Sequence, residues 1–208
     1  SMASQAALDL LDAHDEDYSG LTGAYVAYRS FRNLDAVARY ESLLDGGSLS
    51  ASEAAVAWFY LGALRECAWE GERAIEAYAA SLDADSGSLL AADARYWRGR
   101  VLEELGRPME AAAEYDLLVE AYPASRFVED ARLRAAVALG VAGEGAEATE
   151  RLAAITRSGS PEAAAEAAHW HAVLVALFDA PSAEIAPAGS YDPLSYAAAF
   201  EQSGLAVT

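Results

Sequence analysis

The stretch that decides the fold is Ala92–Ser125, ADARYWRGRVLEELGRPMEAAAEYDLLVEAYPAS. Two runs with apolar residues at helical spacing, one ending at Leu105 and one starting near Met109, are separated only by Gly106-Arg107-Pro108. Glycine suits the left-handed position that commonly follows a helix. Proline suits the first turn of the next helix, where its missing N–H would have been unpaired anyway. The second run ends at Tyr122-Pro123, because proline disfavours helical geometry in the residue before it. The stretch therefore predicts a helix, a tight turn and a second helix.

The unit recurs. A shift of 37 residues upstream places Gly99 on Gly62, Ala111 on Ala74 and Tyr115 on Tyr78. The same shift downstream places Gly106 on Gly143, Ala111 on Ala148 and Tyr115 on Leu152. A weaker copy upstream has Ala24, Ala36 and Tyr40 at the corresponding places. Small residues at Gly62, Gly99, Ala74 and Ala111 predict close helix approach, with Tyr78 and Tyr115 filling the space between neighbouring pairs. One such pair buries too little apolar surface to stand alone, so stability must come from stacking.

On these residues the chain resembles the tetratricopeptide repeat (TPR) family, whose pattern is W-x2-L-G-x2-Y…A-x3-F…P. One copy reads Trp58, Leu61, Gly62, Ala74 and Tyr78; the next reads Gly99, Ala111, Tyr115 and Pro123. The copy beginning at Glu129 keeps Ala136, Ala148 and Leu152. Two features depart from the pattern. Arg65, Leu102 and Leu139 replace the tyrosine after the Leu-Gly pair, and the 37-residue spacing exceeds the family's usual length of about 34.

The resemblance implies an all-α fold, a right-handed superhelix of antiparallel helix pairs. Its expected parts are an N-terminal capping helix in 1–16 and four pairs over 17–162, at about 17–50, 55–88, 92–125 and 129–162. A capping helix over 163–178 and a C-terminal tail over 179–208 complete it. Ser50 with Glu53 predicts a capping box ahead of the helix that ends at Cys67. Glu70-Gly71-Glu72 is expected to open the following helix. A later helix should start at Ser125 or Arg126, and another at Pro161 with Ser160 as its cap. In the tail, proline at 181, 187 and 193 excludes a long helix, and Pro193–Gln202 is expected to be a short one.

Composition agrees with a helical globular chain: 54% of 208 residues are apolar and six are proline. The net charge of −19 argues against nucleic acid, whose phosphates require a basic footprint, and against an anionic membrane surface. All 14 basic residues are Arg, which reads as codon usage. Half of them (Arg95, Arg98, Arg100, Arg107, Arg126, Arg132 and Arg134) form a local basic island. Cys67 is the lone cysteine, so there is no disulfide framework. Ser1 ahead of Met2 reads as a residue appended before an initiator methionine. No apolar run reaches membrane-spanning length, so a soluble chain is expected as the sequence stands.

No catalytic motif is present, and no metal or cofactor is expected. His169 and His171 are two apart and so lie on different faces of a helix. Glu166 with His169 is a single i,i+3 pair, without the second that a bundle metal site uses. What remains is a binding surface. The resemblance implies that the first helix of each pair lines a concave groove. It assigns Tyr25, Tyr28, Phe59, Tyr96, Arg100, Leu133 and Trp170 to that groove, as contacts for a protein or peptide ligand. Aromatic residues and Arg dominate binding hot spots. The basic clamp with which chaperone-binding relatives hold a C-terminal carboxylate is not reproduced, because Asp93 and Asp130 stand in its place.

The resemblance leaves an alternative open. Tyr122–Ser125 followed by Asp130-Ala131 is similar to an extracytoplasmic bacterial subgroup, which leans the expected location to the periplasm. That subgroup includes outer-membrane assembly lipoproteins, a Tol–Pal-associated protein and the helical domain of soluble lytic transglycosylases. Asp192–Tyr196 is similar to the segment before the catalytic domain of the last. This alternative makes the chain the non-catalytic helical part of a cell-wall enzyme. A third expectation is self-association through the solenoid ends or the tail.

Overall fold

The structure, a computed structural model, describes residues 20–178. The expected N-terminal helix and the 179–208 tail lie outside the described residues. Four helix pairs follow one another: α1 (Gly20–Arg29) with α2 (Asn33–Asp45), α3 (Ala51–Cys67) with α4 (Gly71–Ala84), α5 (Ala91–Glu104) with α6 (Pro108–Ala121), and α7 (Val128–Val141) with α8 (Gly145–Ser158). A further helix, α9 (Pro161–Phe178), packs on α8 and α7. Each helix packs on its neighbours in sequence. The substantial contacts that skip a helix join α1 to α3, α3 to α5 and α7 to α9, all of them first helices. The first helices therefore share one side of an all-α solenoid, and the second helices share the other.

The local signals act as their chemistry dictates. Ser50 and Glu53 form the reciprocal capping box: the Glu53 N–H donates to Ser50 Oγ at 3.4 Å and the Ser50 N–H to Glu53 Oε2 at 2.9 Å. Gly106 takes φ +70° and Pro108 opens α6. Pro161 opens α9, with Ser160 Oγ accepting the Ala163 N–H at 3.3 Å.

Two expectations are corrected. The helix expected from Ser125 or Arg126 begins at Val128. The Ser125 N–H bonds the Tyr122 carbonyl at 2.9 Å and the Val128 N–H bonds the Ser125 carbonyl at 3.2 Å, so two turns precede it. Glu70-Gly71-Glu72 opens α4 as expected, with Glu70 at its N-cap, and the turn before it closes on Trp69. Trp69 holds the left-handed position there, at φ +61°, and Phe31 does the same at +58° in the first pair. Gly71 is the first residue of α4, where a Cβ would stand 3.2 Å from the Leu105 side chain.

The second correction concerns the tyrosines. Tyr78 and Tyr115 cover the glycine of their own pair rather than the gap between pairs. A Cβ on Gly62 would come within 2.8 Å of the Tyr78 ring, and one on Gly99 within 2.6 Å of Tyr115. In α7–α8 the same places hold Ala136 and Leu152, both fully buried in one cluster. A larger first-helix residue meets a smaller second-helix one, so volume is conserved, as close-packed interiors require. The core runs unbroken along the stack because α3 contributes to two clusters and α6 and α7 to the next.

Candidate peptide-binding face

The residues expected to line the groove divide by burial. Phe59, Tyr96 and Leu133 are 8%, 6% and 4% exposed and so largely buried, although the Tyr96 hydroxyl reaches across to Asp130 on α7. Phe59 packs at 5.7 Å from the Tyr78 ring, and Tyr96 stacks on Phe127 at 4.2 Å. Tyr25 is 41% exposed, and Tyr28, Arg100 and Trp170 are half-buried.

The residue one step on from each buried member behaves differently. Tyr60, Trp97 and Arg134 follow Phe59, Tyr96 and Leu133, and all three are half-buried. Trp170 occupies the equivalent place in α9, with its ring 5.9 Å from that of His169. Tyr60 and Arg134 also bridge first helices. Tyr60 lies 5.2 Å from Tyr25 and 5.1 Å from Tyr28, joining α3 to α1. Arg134 reaches Glu103 at 3.1 Å, joining α7 to α5. Tyr60 and Arg134 therefore lie on the first-helix side, one residue on from the assigned Phe59 and Leu133. The adjacent aromatics Phe59-Tyr60 and Tyr96-Trp97 were the available sequence signal.

This face has two chemistries. Between α1 and α3 it is aromatic, built on Tyr25, Tyr28 and Tyr60, with the buried Tyr40 ring 6.0 Å behind Tyr60. The rings pack against one another at 5–6 Å, the separation of favourable aromatic pairs, so they form a surface and not an open cage. Between α5 and α7 the face is ionic. Arg134 Nε bonds Asp130 at 2.9 Å, the Tyr96 hydroxyl donates to Asp130, and Arg100 stands 3.5 Å from Glu103. Much of the basic island is thus committed to internal ion pairs, including Arg95 and Arg98 with the buried Glu114.

Glu66 lies between the two regions. Its carboxylate accepts the Tyr78 hydroxyl at 2.8 Å. Burial pushes the Glu66 carboxyl above its usual range, against the hydrogen bond from Tyr78. Burial raises Glu103 as well, while Arg134 pulls the other way.

Elsewhere, a cleft of about 550 Å³ opens between α2, α3 and α4, lined by Leu44, Trp58 and Leu61 with Arg65 and Arg73. Arg65 is engaged by Glu41 and Glu70 there. Cys67 is a free, exposed thiol. Among the described residues no group of three or more His, Cys, Asp or Glu side chains could hold a metal ion. No helix of the described residues is long and apolar enough to cross a membrane.

No family model and no curated protein matches the sequence. Solved structures match the fold. YrrB, a TPR protein with an unusual peptide-binding site, superposes with a TM-score of 0.61 at 21% identity, over 82% of this chain and 83% of that one. The nearly identical TPR-like repeats of a Podosopora anserina kinesin-light-chain-type protein give 0.58 at 14% identity, over 75% of this chain and 83% of that one. A TPR protein from Parabacteroides merdae gives 0.53 at 20%, over 75% of this chain and 56% of that one. The chain thus has a TPR-like helical-repeat fold.

Proposed function

We propose that this chain is a non-catalytic scaffold that binds a peptide or protein segment along its first-helix face. The observation that carries the reading is the run of half-exposed Tyr25, Tyr28 and Tyr60 across α1 and α3, backed by the fully buried Tyr40. Aromatic side chains on a rigid base supply contact area at low entropic cost. Arg100 and Trp170 extend the contact surface. Phe59, Tyr96 and Leu133 support it from beneath. The fold it shares with YrrB, whose structure carries a peptide-binding site, favours this reading by analogy. The cell-wall-enzyme alternative rests on Tyr122–Ser125, Asp130-Ala131 and Asp192–Tyr196, the last outside the described residues, and gains no observation from the fold.

A displayed random-peptide library panned on the folded protein tests the proposal. Enriched peptides should bind wild type and lose about 10-fold in affinity on Tyr25→Ala or Tyr28→Ala, a typical hot-spot cost. The thermal midpoint of each variant should stay near that of wild type. No enrichment, or enriched peptides indifferent to both substitutions, overturns the assignment of this face.

A further inference from the structure

The last described helix has a bare face. Ala165, Ala168, Ala172 and Ala176 of α9 are all exposed, three or four residues apart and so on one side of the helix. Contacts fix the place of α9 in the repeat. Leu105 lies against Gly71, the first residue of α4, and Phe178 lies against Gly145, the first residue of α8. Phe178 is therefore the counterpart of Leu105, and α9 is a first helix. On that register Ala172 stands where Gly62, Gly99 and Ala136 stand, all three buried under a side chain of their second helix or its cluster. Val175, half-buried, stands where Leu102 and Leu139 are 2% and 5% exposed. Among the described residues no second helix covers α9.

The chain carries a matching sequence. Residues 193–201, PLSYAAAFE, parallel residues 108–116, PMEAAAEYD, the start of α6. Both begin with Pro and an apolar residue. Both carry paired alanines, an aromatic seven positions after the Pro, and an acid next to it. Tyr196 takes the place of Ala111, and α9 offers Ala168 where the earlier first helices carry Trp58, Arg95 and Arg132, so bulk moves from one helix to the other. Residues 193–200 bear no charge in a chain of net charge −19, which suits an alanine face. The connection, residues 179–192, is longer than the turns within pairs, but loop closure costs rise only with the logarithm of length.

We propose that residues 193–202 dock on the Ala165–Ala176 face of α9 as the second helix of a fifth pair, with Phe200 over Ala172 as Tyr115 lies over Gly99. The segment then closes the end of the solenoid and leaves the first-helix face of α1 to α7 uncovered. This inference does not depend on what that face binds.

Hydrogen–deuterium exchange on the full chain, with solution mass measured on the same samples, tests it. Amides 194–202 should exchange at least ~10-fold more slowly than in the free peptide of that sequence. Phe200→Ala and Ala172→Glu should each speed exchange in both 194–202 and 165–178, and leave 51–121 unchanged. Because Phe200 lies outside the nine described helices, its variant reports even where Ala172→Glu disturbs α9. Exchange of 194–202 at the free-peptide rate overturns the proposal. So does a Phe200→Ala effect confined to 194–202, or a dimeric mass with protection lost on dilution, which would assign the face to a second copy.

Discussion

The α3–α4 and α7–α8 pairs are one structural unit built from opposite choices. In the first, Gly62 lies under Tyr78, Glu66 takes a hydrogen bond from that tyrosine, and Trp69 makes the turn. In the second, Ala136 and Leu152 share the same space, Gly140 replaces the glutamate, and Gly143 makes the turn at φ +95°. A Cβ on Gly140 would meet Leu174 of α9 at 2.6 Å, so the next first helix fills what Glu66 fills in the earlier pair. The difference teaches that the repeat conserves volume and contact rather than residue identity. A polar, aromatic solution serves near the tyrosine face, and an aliphatic one near α9.

The comparison can be broken most severely at Tyr78. Tyr78→Ala should cost about 3–5 kcal/mol, the range for deleting a buried aromatic, seen as a lowered denaturation midpoint. Gly62→Ala should cost about 1–2 kcal/mol, because overpacking against the ring outweighs a gain of about 1 kcal/mol in helix propensity. Adding Tyr78→Leu to it recreates the Ala136–Leu152 combination and should recover most of that loss. A double-mutant cycle with no coupling would show that the two positions do not share volume.

At the turn, Trp69→Gly should stabilise the chain by about 1 kcal/mol. It relieves a left-handed aromatic residue whose side chain is 91% exposed and contributes little packing. An unchanged or lowered thermal midpoint would mean that Trp69 makes a contact worth more than its strain.

The smallest effect concerns Glu66. Its folded carboxyl is raised by burial, so the folded state binds the extra proton, and the resulting stability is complete below the unfolded value and lost as pH rises through the folded one. Glu66→Gln keeps an acceptor for Tyr78 without the charge. It should gain a few tenths of a kcal/mol at pH 7 and nothing at pH 4, compared in paired thermal melts. A gain of equal size at both pH values would rule out the charge as its origin.

Much of this was legible in the residues. Gly62, Gly99, Tyr78 and Tyr115 announced the repeat, because small and large residues at fixed phase are what close helix packing selects. Ser50–Glu53 and Gly106–Pro108 marked ends by local hydrogen bonding and backbone geometry alone. The candidate face was less legible. Phe59 and Leu133 are buried while Tyr60 and Arg134, one residue on, are half-buried and bridge first helices, because one step along a helix turns a side chain by about 100°. The left-handed roles of Phe31 and Trp69 were hidden because neither is the glycine or asparagine that this conformation favours. The approach of Leu105 to Gly71 was hidden too, since it joins one pair to the next.

The sequence by itself determined that the chain folds as stacked helix pairs, where most of its helices begin and end, and which small and bulky residues pack together. Those properties follow from local hydrogen bonding and from period, which one chain segment specifies without its neighbours. Only the tertiary structure decided which of two adjacent aromatics is buried, which arginines are spent on internal carboxylates, and that α9 ends the described stack with an uncovered face. Each of those depends on the angle at which one helix meets another, and that angle is set by side chains 30 to 40 residues apart, of the kind that join Arg134 to Glu103 and Leu105 to Gly71.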